Sequence, residues 1–243
     1  MSRPIQENIP CPGCNQASPF TMWASLNVTL DPDKKPLLID GELFRFRCPH
    51  CGAVTQVAYP MLYHDMERQF MIWMAPADDS GNAAGSAEAG FKSQGQMTGY
   101  TFRSVHSINE LLEKILIFDA KLDDLVIEMV KMVILTQMPQ ADQSEETEVH
   151  FAQLEDNGAE GQELVFAIVK LAETTGATLP REPVYTDMAK AVAELKSRKS
   201  PPPGGQWPHI DAAYLMDLMD LSENAPPAAA PPPDEQKPWW KKW

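Results

Sequence analysis

The sequence predicts an α+β protein: a β-rich ribbon at the N-terminus, a long helix or helix pair, a second hairpin and helix, and a disordered Pro-rich tail. Three observations carry this. Apolar residues alternate with period two through much of the first 75 residues. They recur at spacings of three and four from Ile108 to Val133. All four cysteines fall in two C-x2-C turns, Cys11-Pro12-Gly13-Cys14 and Cys48-Pro49-His50-Cys51.

In order, residues 1–10 are polar, bounded by prolines, and lead into the first turn. Phe20, Met22, Ala24, Leu26, Val28 and Leu30 alternate as a strand. Asp31–Pro36 has turn composition. Leu37–Ile39 and Leu43–Arg47 resume extended structure, broken at Asp40-Gly41, and Val54–Ala58 leaves the second cysteine turn. Residues 61–76, with Phe70, Ile72 and Met74 in alternation, suggest one further strand. Residues 77–98 are Ala, Gly, Ser and Asp-rich and read as a mobile loop, because such a stretch buries too little apolar surface to offset its ordering entropy.

After a short strand at Tyr100–Val105, Ser107-Ile108-Asn109-Glu110 has the S-x-x-E form of a capping box. Ile108, Leu111, Ile115, Phe118, Leu122, Leu125, Met129 and Met132 then form a helical stripe, with Asp119 or Asp123 as a second N-cap that splits it. The stripe reads as core-facing, with a dimerising seam over residues 108–134 as the alternative. Pro139–Glu148 is an acidic loop, Glu148–Leu154 and Glu163–Val169 two strands, and Pro183–Arg198 a helix. These elements divide the chain into 1–135, an extension at 136–199 packed on it, and a Pro/Ala-rich tail at 200–243. Two apolar islands lie in the tail. Ile210, Tyr214, Leu215, Leu218 and Met219 stand on one amphipathic segment, and Trp239, Trp240 and Trp243 at the end of the sequence. Both read as docking motifs for a protein partner or as segments that fold back on the chain.

The composition narrows the function classes. The 243 residues are 44% hydrophobic and 22% charged, as in a globular protein, with a formal charge of -14 and pI near 4.7. An acidic chain repels a phosphate backbone unless cations cluster locally. Nucleic acid is therefore a disfavoured partner, and Arg45, Arg47, Arg68 and Arg103 are the residues that would have to supply a basic face. Neither a spanning apolar run nor a signal-peptide core is present, so a cytoplasmic location is expected. Cysteines in that compartment stay reduced, and paired C-x2-C turns hold metal more often than disulfides.

The pairs are separated by 33 residues and read as one tetrahedral four-cysteine zinc site of Cys11, Cys14, Cys48 and Cys51. Pro12 and Pro49 pre-set the turns, and Gly13 and Gly52 allow unusual backbone angles. Four thiolates fill the shell of one structural Zn2+. Cys48–Cys51 also has the sequence of a thiol-oxidase motif, but such motifs open a helix, whereas Gly52–Val57 is strand-like. C-x-x-C-H haem attachment is excluded by Asn15 and Gly52.

The two CPxC motifs, Phe44–Arg47 before the second of them, Tyr59–Asp65, and the stretch Ser107–Glu128 resemble the CpXC family. The likeness covers about residues 8–135. It implies metal binding at the four cysteines and little about activity, since the family's biochemical function is essentially uncharacterised.

Among the other titratable residues, His64 beside Asp65 is the candidate acid or base, although neighbours on a strand point to opposite faces. Asp119, Asp123, Asp124 and Glu128 are explained by helix capping before a hard cation. The functional expectation is a non-enzymatic, zinc-stapled interaction or adaptor module whose tail recruits a protein. A nucleic-acid-associated ribbon and an enzyme with a site near His64 are the alternatives.

Overall fold

The computed structural model describes residues 2–76, 99–139, 147–170, 173–198 and 207–223. The expected loop at 77–98 and the three terminal tryptophans lie outside them. The fold is α+β. Strands β1 (Arg3–Pro10), β2 (Ala17–Asn27), β5 (Met61–Asp65), β6 (Phe70–Met74) and β7 (Thr101–Val105) form a mixed sheet in the order β1-β2-β5-β6-β7. β1 and β2 are antiparallel, as are β5 and β6, while β2 runs parallel to β5 and β6 parallel to β7. Between β2 and β5 lie a short helix α1 (Lys34–Ile39), a 3-10 turn (Glu42–Phe44) and a two-stranded hairpin of β3 (Arg45–Arg47) and β4 (Val54–Gln56).

The mixed sheet is covered on both faces, which makes its inner strands read as nearly continuous apolar runs. Leu26, Tyr63, Ile72 and Val105 point to one face and pack on Ile108, Leu111 and Ile115 of helix α2 (Ile108–Asp119). Leu62 and Met71, one residue out of phase, point to the other and pack on Trp207. A second core joins Ile117, helix α3 (Asp124–Gln137), a three-stranded sheet, helix α4 (Arg181–Arg198) and helix α5 (Ala212–Glu223). That sheet has the order β10-β9-β8, from β8 (Thr147–Asp156), β9 (Gln162–Lys170) and β10 (Glu173–Pro180), all antiparallel.

The helix pair follows its sequence signals. Ser107 Oγ accepts from Glu110 N at 3.2 Å, and Asp123 Oδ1 accepts from Leu125 N at 2.9 Å, so Asp123 rather than Asp119 caps the second helix. The reciprocal half of the capping box is shifted by one residue, with the Glu110 carboxylate accepting from His106 N at 3.0 Å. Lys121, at φ +56°, supplies the left-handed turn between the helices.

Four expectations need correction. Residues 3–10, to which the sequence assigned no element, are a strand paired along its length with β2. Residues 34–39 are helical, since Pro36 sits in the first turn, where its missing N–H is no loss, and Leu38 is fully buried. The stretch 61–76 is two strands, folded back at a turn that uses Gln69 at φ +56° instead of a glycine. Strand β10 was not foreseen: it is a largely exposed edge strand, in which only Ala177 and Leu179 are apolar and half-buried, so it carries little hydrophobic pattern. The stripe considered as a dimer seam is packed inside the chain, with Ile108, Leu111, Ile115, Leu122, Leu125, Val126 and Val130 all buried.

Candidate metal centre

Each cysteine pair sits at the tip of a β-hairpin: Cys11 and Cys14 between β1 and β2, Cys48 and Cys51 between β3 and β4. The two tips have the same backbone wiring. Cys11 N donates to Gln16 O and Asn15 N to Cys11 O, at 3.0 and 2.7 Å. In the second tip Cys48 N donates to Ala53 O and Gly52 N to Cys48 O, at 2.8 and 3.0 Å. Both turns close on a left-handed residue four places after the first cysteine, Asn15 at φ +58° and Gly52 at φ +75°. The expected role of Gly52 is therefore met. Gly13 does something else: a Cβ there would lie 3.2 Å from Ala53 Cβ and 3.5 Å from Cys51 Sγ, so its bare backbone lets the two tips approach.

The four sulfurs converge within 4.8 Å of one another. Cys11 Sγ lies 3.6 Å from Cys51 Sγ, and Cys14 Sγ 3.6 Å from Cys48 Sγ, well beyond a disulfide bond. Sulfurs around one tetrahedral ion at about 2.3 Å stand about 3.8 Å apart, so the spacing suits a shared cation. Backbone N–H groups turn toward the sulfurs: Gly13 N to Cys11 Sγ at 3.3 Å, Gln16 N to Cys14, His50 N and Cys51 N to Cys48, and Ala53 N to Cys51. Four thiols this close cannot all ionise unaided. Burial opposes ionisation of Cys48, but the Cys51 and His50 N–H groups and the neighbouring thiols bring it down to about 6. Cys14 is pushed up to about 12, where burial and the other three sulfurs outweigh the Gln16 N–H. A bound divalent cation would remove the mutual repulsion that this split expresses. Cys11 and Cys48 are buried with Phe46, packed against Phe20, whereas Cys51 is exposed. Among the described residues no other group of three or more metal-ligating side chains converges in this way.

The other candidates are placed differently. Asn27 Nδ2, a donor only, lies 3.3 Å from His64 Nδ1, so that nitrogen accepts and Nε2–H donates to Tyr100 OH at 3.2 Å. Burial lowers the pKa of His64. Asp65 turns away to Arg68 at 3.1 Å and Lys35 at 3.7 Å, so the pair does not meet. Asp119, Asp123, Asp124 and Glu128 are each held by cations of the chain, Asp124 and Glu128 sharing one, and form no common metal site among the described residues. Asp119 meets Lys35, Asp123 meets Lys196, Asp124 meets Arg103 and Lys114, and Glu128 meets Lys114 and Lys131. The four arginines proposed for a basic face are likewise matched: Arg45 and Arg47 with Glu42, Arg68 with Asp65 and Asp119, Arg103 with Asp124.

Sequence reasoning missed a buried ionic network between α2, α3, β8 and the segment at 207–212. Lys114, 2% exposed as a side chain, reaches Glu128 Oε1 at 3.2 Å, Asp124 Oδ2 at 3.4 Å and the Ile210 carbonyl at 2.7 Å. Glu113 accepts from Phe151 N at 2.7 Å and from Lys131 at 3.1 Å. His150 places Nδ1 at 3.3 Å from Glu113 and Nε2 at 2.9 Å from Glu148. Glu113 and Glu128 share Lys131. Burial opposes ionisation of Glu113, but His150, Lys131 and Lys114 hold its pKa down, while burial pushes Glu128 up. A cavity of about 230 Å³ borders Glu113, Lys131, His150 and His209. The available signal was Glu113-Lys114 on the apolar side of an amphipathic helix.

The tail segment folds back. Ile210, Leu215 and Leu218 are buried in the second core and Tyr214 is half-buried beside them, the folded-back one of the two expected arrangements; Met219 is 37% exposed. Trp239, Trp240 and Trp243 lie outside the described residues.

The fold and the site define an α+β protein with a cysteine-cluster centre, able to hold a metal ion, on the tips of two hairpins. No described helix is long and apolar enough to cross a membrane. The family model described as "CpXC protein" matches residues 9–131, and the chain belongs to the CpXC family. Neither the search of curated proteins nor that of solved structures found a match.

Proposed function

We propose that the chain is a non-enzymatic interaction module whose N-terminal hairpins are stapled by one structural Zn2+. The observation that supports this most is the donor set. Four sulfurs drawn symmetrically from two turns saturate a tetrahedral ion and leave no open coordination position for a substrate. Thiolate ligands favour zinc over oxygen-seeking cations. The internal pairing of the four candidate arginines leaves the nucleic-acid reading without its basic face. His64, with both ring nitrogens bonded within the chain, gives little support to an enzyme. The partner is a protein, and residues beyond 223, with Trp239, Trp240 and Trp243, are the candidate recruiting element.

Two measurements test this. Elemental analysis of purified protein should give one zinc per chain, and cobalt substitution should give the absorption of a tetrahedral thiolate site; a metal-free, fully folded chain would overturn the staple. Affinity capture with residues 224–243 removed should lose a partner that the intact chain retains; unchanged recovery would overturn the recruiting role.

A further inference from the structure

Residues 207–223 are held as a bound peptide is held. Three of the first four carbonyls are read by the body of the chain: Ser104 Oγ donates to Trp207 O at 2.9 Å, Ser104 N to Pro208 O at 3.1 Å, and Lys114 Nζ to Ile210 O at 2.7 Å. The segment thus touches the outer edge of β7 at Ser104, where its main chain takes one of the bonds that an added strand would take. Side chains add anchors. Trp207 fills a pocket of Leu62, Met71 and Phe102, with its ring 5.0 Å from that of Phe102. His209 Nε2 clasps Glu110 at 2.8 Å. Leu215, fully buried, and Leu218 follow on one face of a short helix.

We propose that this groove is an exchangeable docking site, and that its occupant in trans is the 207–223 segment of a second copy of the chain. That occupant fits because the resident segment already makes every contact it would make. In sequence the segment is joined to α4 only through residues 199–206, which include Pro201-Pro202-Pro203. A segment joined to the body through such a linker can be supplied by a neighbour with the same contacts, the low-cost route to a dimer. The balance is set by effective concentration. A short tether holds its own segment at about millimolar, so dilute chains stay closed, and copies brought to comparable local concentration trade segments. Shortening the tether removes the closed form's advantage.

Two experiments on the full chain decide this. In the first, a protease site is inserted between Gly204 and Gly205, and the protein is purified intact and then cut. The expected result is that the cut segment stays bound, and that a fluorescent synthetic peptide of residues 205–223 replaces it at one per chain. The same peptide carrying Trp207→Ala should compete at least tenfold less well. A cut segment that never exchanges, or a cut chain that unfolds, overturns the proposal. In the second, deletion of Gly204 and Gly205 should convert a monomer at about 10 μM into a dimer by light scattering, reversed by Trp207→Ala. A shortened chain that stays monomeric, or a dimer indifferent to Trp207→Ala, also overturns it.

Discussion

Lys114→Met tests whether the buried ionic network holds the two halves of the fold together. Methionine keeps the length and apolar stem of the lysine, so packing changes little and the charge is removed. Asp124 and Glu128 then each lose one of two cations. Asp124 keeps Arg103, bonded at 2.6 and 2.9 Å, and Glu128 keeps Lys131 at 3.1 Å. Stripping one partner from a buried pair costs about 3–5 kcal/mol, and the retained partners place this case near the lower end. The lost donor to Ile210 O adds about 1 kcal/mol. A loss of about 3–4 kcal/mol is expected at pH 7 in urea unfolding followed by circular dichroism. The pH dependence gives a second reading. Burial opposes ionisation of Asp124, but Lys114 and Arg103 hold its pKa down to about 2. A depressed folded-state pKa gives stability that is complete above the ordinary value near 3.8 and lost as pH falls toward 2. With Lys114 gone that depression shrinks, so the gap between wild type and variant should narrow over the same interval. A loss below about 1 kcal/mol at pH 7, or a gap unchanged down to pH 2, would refute the reasoning.

Three further outcomes are expected. Gly13→Ala should weaken metal retention in chelator competition, because its Cβ would press on Ala53 at 3.2 Å, while Gly52→Ala strains a left-handed turn by about 1–2 kcal/mol with open space around it; equal, negligible effects would contradict the distinct roles. Docking of the 207–223 segment, followed by hydrogen exchange, should weaken as pH rises above 6.5. Its bond to Glu110 raises the His209 pKa, so that stabilisation is complete below the unfolded value and lost as pH passes the folded one. His150 is raised in the same sense between Glu113 and Glu148, and His209→Gln should remove only the share local to the segment. Phe20→Ala should uncouple the metal tips from the main core: Phe20 meets Phe46 edge-on at 5.9 Å and Tyr59 at 6.2 Å, so chelation in the variant should raise exchange at residues 9–16 and 46–54 while leaving β5 and β6 as protected as before chelation.

What the sequence revealed and what it hid divide along physical lines. The cysteine tips were legible because chemistry fixes both residue type and spacing, and the helix pair because Ser107 and Asp123 are caps that act within three residues. The turn at 66–69 was not, since it uses the left-handed Gln69 in place of a glycine and leaves no compositional mark; at the interhelical break, foreseen within 119–124, only the left-handed backbone of Lys121 was unmarked. Strand β10 lay at an exposed edge with little to bury. Lys114 and Glu113 were hidden for a different reason. A charged pair inside an apolar stripe reads as a surface interruption until partners from α3, β8 and the 207–212 segment, up to 96 positions away in the chain, are brought to it.

The same network bears on what kind of partner the surface suits. The chain carries 20 Lys and Arg against 34 Asp and Glu, and several cations are engaged inward: Arg103, Lys114 and Lys131 are largely buried against Asp124, Glu113 and Glu128, and Lys35 and Arg68 meet Asp65 and Asp119. Cations committed to internal carboxylates are poor electrostatic guides for a ligand, because a buried pair presents little field to solvent. The carboxylates that hold these cations are withdrawn with them, so the rest of the chain keeps the full formal charge of -14. That charge repels phosphate backbones at long range, and with Arg103, Lys114 and Lys131 committed to internal carboxylates these three cations cannot offset it locally.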